Sequence, residues 1–107
     1  MIKIEYSEDA KCDLQLTYEN LNAFDQSGAS FFNKILINNR KLSEIPKIGA
    51  SLQTKTEIIT DYRYLVFPFT KKQVYIVIYR IDEKANLVYI NRIFDGKMNY
   101  LNVLFND

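Results

Sequence analysis

The amino-acid sequence predicts an α+β domain, and two features of its hydrophobic pattern lead to this prediction. After a short alternating stretch, two consecutive segments of the N-terminal part carry apolar residues at helical spacing. The C-terminal part carries β-branched and aromatic runs separated by short polar turns. Helices and strands segregated in this way favour helices that cover one face of a mostly antiparallel sheet. A chain of 107 residues is most simply one such domain, spanning 1–107.

The N-terminal part predicts a strand followed by a helical hairpin. Residues 2 to 6 alternate apolar and polar side chains, as a half-buried strand does. Ser7 can cap a helix whose first turn is acidic, and we expect this helix at about 8 to 24. A second amphipathic helix is expected at about 29 to 43. The short connector between the helices predicts an antiparallel pair. The apolar stripe of the first helix is Ala10, Leu14, Tyr18 and Leu21, with Thr17 and Phe24 alongside, and that of the second is Phe31, Phe32, Ile35, Leu36 and Leu42.

The C-terminal part predicts three strands in a meander. Residues 46 to 57 are interpreted as an irregular basic connection. Strands are expected at 62–69, 74–81 and 87–94, joined by short turns and therefore antiparallel. The middle strand is nearly all apolar, as expected of a central strand covered on both faces or partly by a partner. In the last strand, alternation puts Val88, Ile90 and Arg92 on one face and Leu87, Tyr89, Asn91 and Ile93 on the other. With the N-terminal strand, the sheet has about four strands.

The composition excludes several classes of function. The chain has no histidine and one cysteine, Cys12, which removes Ser-His-Asp and Cys-His chemistry and any plausible structural zinc site. The three glycines are too widely spaced for a phosphate-binding loop. We therefore expect no metal and no cofactor. The longest apolar run, six residues, is far below the about 20 that a membrane span needs, so no membrane association is expected.

The charge is unevenly distributed along the chain. Residues 1–30 carry two basic and six acidic side chains, whereas residues 31–107 carry twelve basic and seven acidic ones. Such an asymmetry can steer a partner, although a mixed solvated surface explains it as well. The single cysteine and the absence of a secretory signal favour a reducing, cytoplasmic location.

Five segments together resemble the RelE/ParE toxin superfamily. They are YSEDAKCDL (6–14), LSEIPKIGASL (42–52), DYRYLVF (61–67), VYIVIYRID (74–82) and YINRIFDGKMNYLNVLF (89–105). The resemblance implies the toxin of a bacterial type II toxin–antitoxin system, cytoplasmic and held in a hetero-oligomer by a small cognate antitoxin encoded beside it. It also implies one of two targets. RelE-like members cut mRNA in the ribosome, and ParE-like members, associated with plasmid stabilisation and growth arrest, inhibit DNA gyrase.

The RelE-like alternative would need a metal-free nuclease site. Its candidate residues here are Arg63, Arg80, Arg92, Lys97 and Tyr100. Arg63 occupies the superfamily's recurrent arginine position, but it can equally form a structural ion pair with Asp13 that holds helix to sheet. Arg80 precedes the acidic turn at 82–83, where a local ion pair is expected. The Arg92 side chain could point into a groove or into solvent, and the sequence does not decide between these alternatives.

The end of the chain favours the ParE-like branch. The resemblance to RelE-like nucleases implies an arginine at position 98 and a tyrosine at position 104, but this chain has Met98 and Leu104. Methionine cannot contact a phosphate as arginine does, and leucine cannot transfer a proton. The interpretation is a turn, an Asn99 cap and a short helix that binds gyrase through Lys97, Asn99, Tyr100, Leu101, Leu104 and Phe105. The alternative is that this apolar tail only covers the sheet. A degenerate toxin that only binds its antitoxin is a third possibility.

Overall fold

The computed structural model describes residues 2–55 and 59–105, which form a mixed sheet and three α-helices. In chain order, the elements are β1 (Lys3–Tyr6), α1 (Glu8–Asp25), α2 (Gly28–Glu44), β2 (Ala50–Ser51), β3 (Arg63–Pro68), β4 (Val74–Asp82), β5 (Leu87–Asp95) and α3 (Tyr100–Phe105). Single 3-10 turns at Pro46–Ile48 and Leu52–Thr54 flank β2. This order confirms the predicted α+β fold and its short C-terminal helix.

The sheet differs from the prediction in two respects. Its strand order is β1-β5-β4-β3-β2, so it has five strands within the described residues rather than about four. β2 arises in the segment predicted as irregular, of which positions 56 and 57 lie outside the described residues. β1 pairs in parallel with β5, whereas the other neighbours are antiparallel. Hairpin links force antiparallel pairing, but β1 and β5 are separated by most of the chain, so local signals leave their relative direction open.

The helical hairpin is fixed at both of its ends. Ser7 caps α1 by accepting a hydrogen bond from the Ala10 N–H at 2.9 Å, and its hydroxyl donates to the Asn91 carbonyl of β5 at 2.6 Å. At the start of α2, a Cβ added to Gly28 would lie 2.6 Å from the Tyr18 ring, so glycine permits the close approach of the helices. Both helices begin within one residue of the starts expected from the sequence.

Leu36 of the predicted second stripe and Phe24, expected beside the first stripe, face solvent instead. Phe24 is 87% exposed and Leu36 is 64% exposed. Leu21 and Ile35 pack against the core in the corresponding turns. Because neighbouring helical residues are turned by about 100°, Leu36 cannot face the sheet together with Ile35.

Both faces of the sheet are covered, as predicted for the apolar strand β4. On the hairpin face, the buried residues are Ala10, Phe31, Ile35, Leu42, Phe67, Phe69, Tyr75, Val77, Tyr79, Val88, Ile90 and Ile93. On the opposite face, which we call the α3 face, they are Leu52, Ile76, Ile78 and Phe94, packed against Tyr62, Tyr64 and α3. Alternate residues of β4 therefore serve two separate cores.

A β-bulge changes the predicted alternation in β5. Tyr79 of β4 is opposite Ile90, but Ile78 is opposite Arg92, which leaves Asn91 as an extra residue. Val88 and Ile90 share the hairpin face as predicted, and Ile93 joins them after the bulge. The predicted alternation is thus wrong beyond Ile90, because an inserted residue exchanges the two faces.

Within the described residues, no helix is long and apolar enough to cross a membrane.

Candidate functional site

The exposed part of the C-terminal segment is a tight turn between β5 and α3. The Asp95 carboxylate accepts from the Lys97 N–H at 2.9 Å, and the Asp95 carbonyl accepts from the Met98 N–H at 3.0 Å. A Cβ at Gly96 would lie 2.6 Å from the Val74 side chain, so the turn lies directly against β4. The side chains of Lys97, Met98 and Asn99 project into solvent. A local hydrogen-bond network therefore presents one cation and one amide at the surface.

The short helix α3 begins at Tyr100, directly after Asn99 as predicted. The Asn99 carbonyl accepts from the Val103 N–H at 3.3 Å. The Tyr100 ring stacks on Phe94, with centroids 6.1 Å apart, and the Phe105 ring lies 6.4 Å from that of Tyr62. Leu101 and Leu104 also pack against the buried cluster.

The six predicted target-binding residues are consequently divided between two environments. Lys97 and Asn99 are exposed, whereas Tyr100, Leu101, Leu104 and Phe105 are partly buried against the α3 face. The apolar members thus cover the sheet, which is the alternative that the sequence left open for this tail.

Asp13 pairs with Arg92 rather than with Arg63, which corrects the predicted ion pair. The Arg92 guanidinium donates to both carboxylate oxygens of Asp13, at 2.9 and 3.0 Å. The same carboxylate accepts from the Ile93 N–H at 2.9 Å. β1 ends at Tyr6, opposite Ile90, so the edge of β5 has no paired strand beyond that point among the described residues. The Asp13 carboxylate therefore accepts from the Ile93 N–H, which has no strand partner, and this position brings it next to the neighbouring Arg92.

Arg63 binds the segment that follows α2. Its guanidinium donates to the Gly49 carbonyl at 2.7 and 3.1 Å and to the Lys47 carbonyl at 3.2 Å. The neighbouring Tyr79 hydroxyl accepts from the Gly49 N–H at 2.9 Å and donates to the Pro46 carbonyl at 2.8 Å. Burial raises the pKa of Tyr79, opposed by the Gly49 hydrogen bond and the Arg63 charge. Arg63 therefore connects β3 to the segment after α2 through two backbone carbonyls.

Arg80 contacts an aromatic ring instead of the acidic turn. Its guanidinium carbon lies 5.2 Å from the centroid of the Tyr89 ring. Asp82 accepts from the Ala85 N–H at 3.1 Å, and Glu83 lies 4.0 Å from the Lys47 ammonium. The expected local ion pair is not formed among the described residues, because both acidic side chains have other contacts.

Two of the five nuclease candidates, Arg92 and Tyr100, contact the same Phe94 ring, whereas Arg63 is separated from them. Arg63 is opposite Tyr79, whose side chain lies in the hairpin-face core. Arg92 is opposite Ile78, whose side chain lies in the α3-face core. Cross-strand partners share a face, so the backbone directs these two arginines to opposite faces of the sheet.

A cleft that the sequence reasoning missed lies beside Arg92. It encloses about 270 Å³ and is lined by Ser7, Asp9, Tyr62, Tyr89, Asn91, Arg92, Val103 and Leu104. Asn91 donates to the Tyr62 hydroxyl at 2.9 Å, while its side-chain oxygen is buried without a partner in the described structure. The only sequence signal was an amide within an otherwise apolar strand. No group of three or more metal-ligating side chains occurs in residues 2–55 and 59–105.

The strand, helical hairpin, antiparallel strands and short C-terminal helix define the RelE/ParE type of fold. The chain belongs to the ParE toxin family of type II toxin–antitoxin systems (parDE), whose model matches residues 4–100. No curated protein sequence matches the chain.

Solved structures agree with this fold. A chain of the chromosomal ParDE system from P. aeruginosa superimposes with a TM-score of 0.66 at 16% identity, covering 89% of this chain and 96% of that one. A chain of the E. coli RelBE toxin–antitoxin complex gives 0.56 at 12% identity, covering 92% and 100%. The isolated E. coli RelE toxin gives 0.57 at 10% identity, covering 97% and 94%.

Proposed function

We propose that this toxin acts by binding DNA gyrase, without cutting RNA, and that a small antitoxin neutralises it. The observation that most supports a binding mechanism is that the backbone directs Arg63 and Arg92 to opposite faces of the sheet. A metal-free ribonuclease must place cations and a proton-transfer group around one phosphate. Cations whose backbones face away from each other do not form such a group.

The contacts of the candidate residues support the same conclusion. Arg63 donates to two backbone carbonyls, and Arg92 donates to both oxygens of Asp13. The Tyr100 ring is stacked on Phe94. Leu104, at the position where RelE-like nucleases carry tyrosine, packs against the α3 face.

Gyrase inhibition requires a surface rather than a reactive group. The turn at Lys97 and Asn99 offers exposed polar groups, and α3 holds this turn against the sheet. We assign direct target contacts to Lys97 and Asn99, and positioning roles to Tyr100, Leu101, Leu104 and Phe105. Gyrase works in the bacterial cytoplasm, so the proposal includes a cytoplasmic location.

A supercoiling assay with purified gyrase tests the proposal. The chain is expected to block supercoiling, and the double variant Lys97→Ala/Asn99→Ala to inhibit at least about tenfold less well, as loss of two central contacts predicts. Lys71→Ala, an exposed lysine in the turn between β3 and β4, is the matched control and should inhibit like the parent chain.

Two results would contradict the proposal. One is an unaffected gyrase at high molar excess of the chain. The other is cleavage of translated mRNA within ribosomal A-site codons after induction, which would establish the RelE-like alternative. Antitoxin binding without either effect would indicate a degenerate toxin.

A further inference from the structure

A second surface adjoins the turn at Lys97, on the side of the helical hairpin. It is a cleft of about 250 Å³ between the C-terminal half of α1, the start of β4 and the end of β5. The helix contributes Thr17, Asn20, Leu21 and Phe24, and the sheet side contributes Gln73, Tyr75 and Asp95. We call this surface the Phe24 cleft.

The α1 wall of the Phe24 cleft ends in an exposed aromatic ring. Residues three or four apart lie on one face of a helix, so Thr17, Leu21 and Phe24 share a face of α1. Leu21 packs against the core, whereas Phe24 is 87% exposed. Among the described residues, no other aromatic ring packs on that of Phe24. Its ring is therefore open to a partner.

Two carboxylates lie near the Tyr75 hydroxyl of the cleft. Asp95 is opposite Tyr75 in the sheet, and Asp25 ends α1. Burial raises the pKa of Tyr75, and the charges of Asp95 and Asp25 raise it further, which places both carboxylates close to this ring. Each accepts one backbone N–H, Asp95 that of Lys97 at 2.9 Å and Asp25 that of Ser27 at 3.1 Å.

These carboxylates retain the capacity to bind a cation. Neither Asp25 nor Asp95 forms an ion pair within residues 2–55 and 59–105. A carboxylate has about four acceptor positions, so one backbone hydrogen bond leaves most of them open.

The chemistry of the Phe24 cleft indicates its occupant. Its lining has a carboxylate, two side-chain amides and two aromatic rings, and it has no basic residue. A guanidinium matches this combination, because its flat face stacks on an aromatic ring and its edge donates to carboxylate and amide oxygens. The cleft therefore fits the side chain of an arginine.

The Phe24 cleft is continuous with the turn that we assign to gyrase binding. Asp95 lines the cleft, and the same carboxylate accepts from the Lys97 N–H. A protein that contacts Lys97 and Asn99 is therefore within reach of the cleft. Gyrase acts on DNA, and proteins that hold DNA carry arginine and lysine on the surface that faces the phosphates.

We propose that the Phe24 cleft binds an arginine side chain of gyrase. The guanidinium stacks on the Phe24 ring and donates to the carboxylates of Asp25 and Asp95. The inference rests on the proposed gyrase binding and extends its contact surface from the turn at Lys97 to the end of α1.

Supercoiling inhibition by Phe24 variants tests the stacking. Phe24→Ser should inhibit gyrase at least about tenfold less well than the parent chain. Phe24→Leu should inhibit about fivefold less well, because leucine retains apolar area but has no π face. Phe24→Trp keeps an aromatic face and should inhibit within about threefold of the parent chain. Leu36→Ser, at an exposed apolar residue of α2, is the matched control and should inhibit like the parent chain.

The double variant Asp25→Asn/Asp95→Asn tests the carboxylates. Asparagine retains an oxygen that can accept from the backbone N–H groups of Ser27 and Lys97, so both local turns are kept. The affinity for purified gyrase, measured by biolayer interferometry, should fall about tenfold at low salt and lose part of its salt dependence. Glu8→Gln/Asp9→Asn makes the same change in net charge at the opposite end of α1 and should bind like the parent chain.

Thermal unfolding of the free variants establishes that they remain folded. Little change in the unfolding temperature is expected, because Phe24, Asp25 and Asp95 are exposed.

The outcomes distinguish this inference from the proposed function. Gyrase inhibition by the parent chain that Phe24→Ser and the double acid variant leave unchanged would overturn the Phe24 cleft alone. A parent chain without effect on gyrase would overturn both. Full inhibition by Phe24→Leu would indicate an apolar contact and overturn the assignment of an arginine. If Phe24→Ser inhibits gyrase fully but loses self-association or antitoxin binding, the cleft belongs to a second copy or to the antitoxin, and the proposal is wrong.

Discussion

The two faces of the sheet are built very differently. In the described residues, the core between the sheet and the helical hairpin contains twelve buried residues, four of which belong to the two helices of 18 and 17 residues. The α3 face buries four, beneath a helix of six residues. Because stabilisation grows with buried apolar area, most of it comes from the hairpin face. Substitutions on the α3 face should therefore cost less stability than substitutions on the hairpin face.

Truncation of one aromatic on each side should give the largest contrast. Phe31 is fully buried and contacts Phe67, Phe69 and Tyr75 by ring packing. We expect Phe31→Ala to reduce the free energy of unfolding by about 4 kcal/mol through cavity formation. Tyr100→Ala on the α3 face should reduce it by about 1 kcal/mol, because this ring is only partly buried. Equal losses in urea unfolding would show that the two faces contribute alike.

Loss of the contacts of Asp13 with Arg92 and Ile93 should have the next largest effect on stability. Asp13→Ala leaves the Arg92 guanidinium and the Ile93 N–H without their carboxylate acceptor. We expect a loss of about 2 kcal/mol, below the value for a fully buried pair because the Arg92 side chain is 28% exposed. Asp9→Ala, an exposed acid in the first turn of the same helix, should cost at most about 1 kcal/mol. Urea unfolding of both variants measures the difference. Similar losses in the free energy of unfolding would mean that Asp13 acts only through its charge near the start of α1.

Alkaline pH should act through the hairpin face. Burial raises the pKa values of Tyr6, Tyr75 and Tyr79 above their usual 10.0, and all three belong to that core. Above about pH 10 these groups ionise in the unfolded chain before they do so in the folded one. The contribution of these tyrosines to the free energy of unfolding is therefore fully present below pH 10, and it is lost as the pH rises through their raised pKa values. Denaturant unfolding at pH 8 and above pH 10 measures this, and a Tyr6→Phe variant should show a shallower decrease.

The smallest effect on stability is expected at the turn before α3. Lys97 is exposed, and its only hydrogen bond in the described structure is a backbone one to Asp95. Lys97→Ala should change the free energy of unfolding by less than about 0.5 kcal/mol. A larger loss in urea unfolding would mean that the turn contributes to the fold and is not free to vary with the target.

Local patterns in the sequence were sufficient to predict most of the helices and strands. Ser7 followed by two acids predicted the start of α1, and the apolar run at 74–81 predicted a central strand covered on both faces or partly by a partner. Such signals act between residues that are close in sequence, so a periodicity or a cap predicts them directly. The division of the C-terminal tail into the exposed Lys97 and Asn99 and the packed Leu101 and Leu104 was not predictable, because it depends on which sheet face lies beneath the helix.

Hydrophobic periodicity and turn residues are local properties, so they were enough to predict the α+β class, the order of the helices and the three-strand meander. The parallel pairing of β1 with β5, the bulge at Asn91 and the ion pair of Asp13 with Arg92 became evident only in the folded chain. Each of these depends on residues far apart in the chain, whose pairing follows from the geometry of the assembled sheet. The same reason separates Arg63 from Arg92, because the register and the bulge direct their backbones to opposite faces of the sheet.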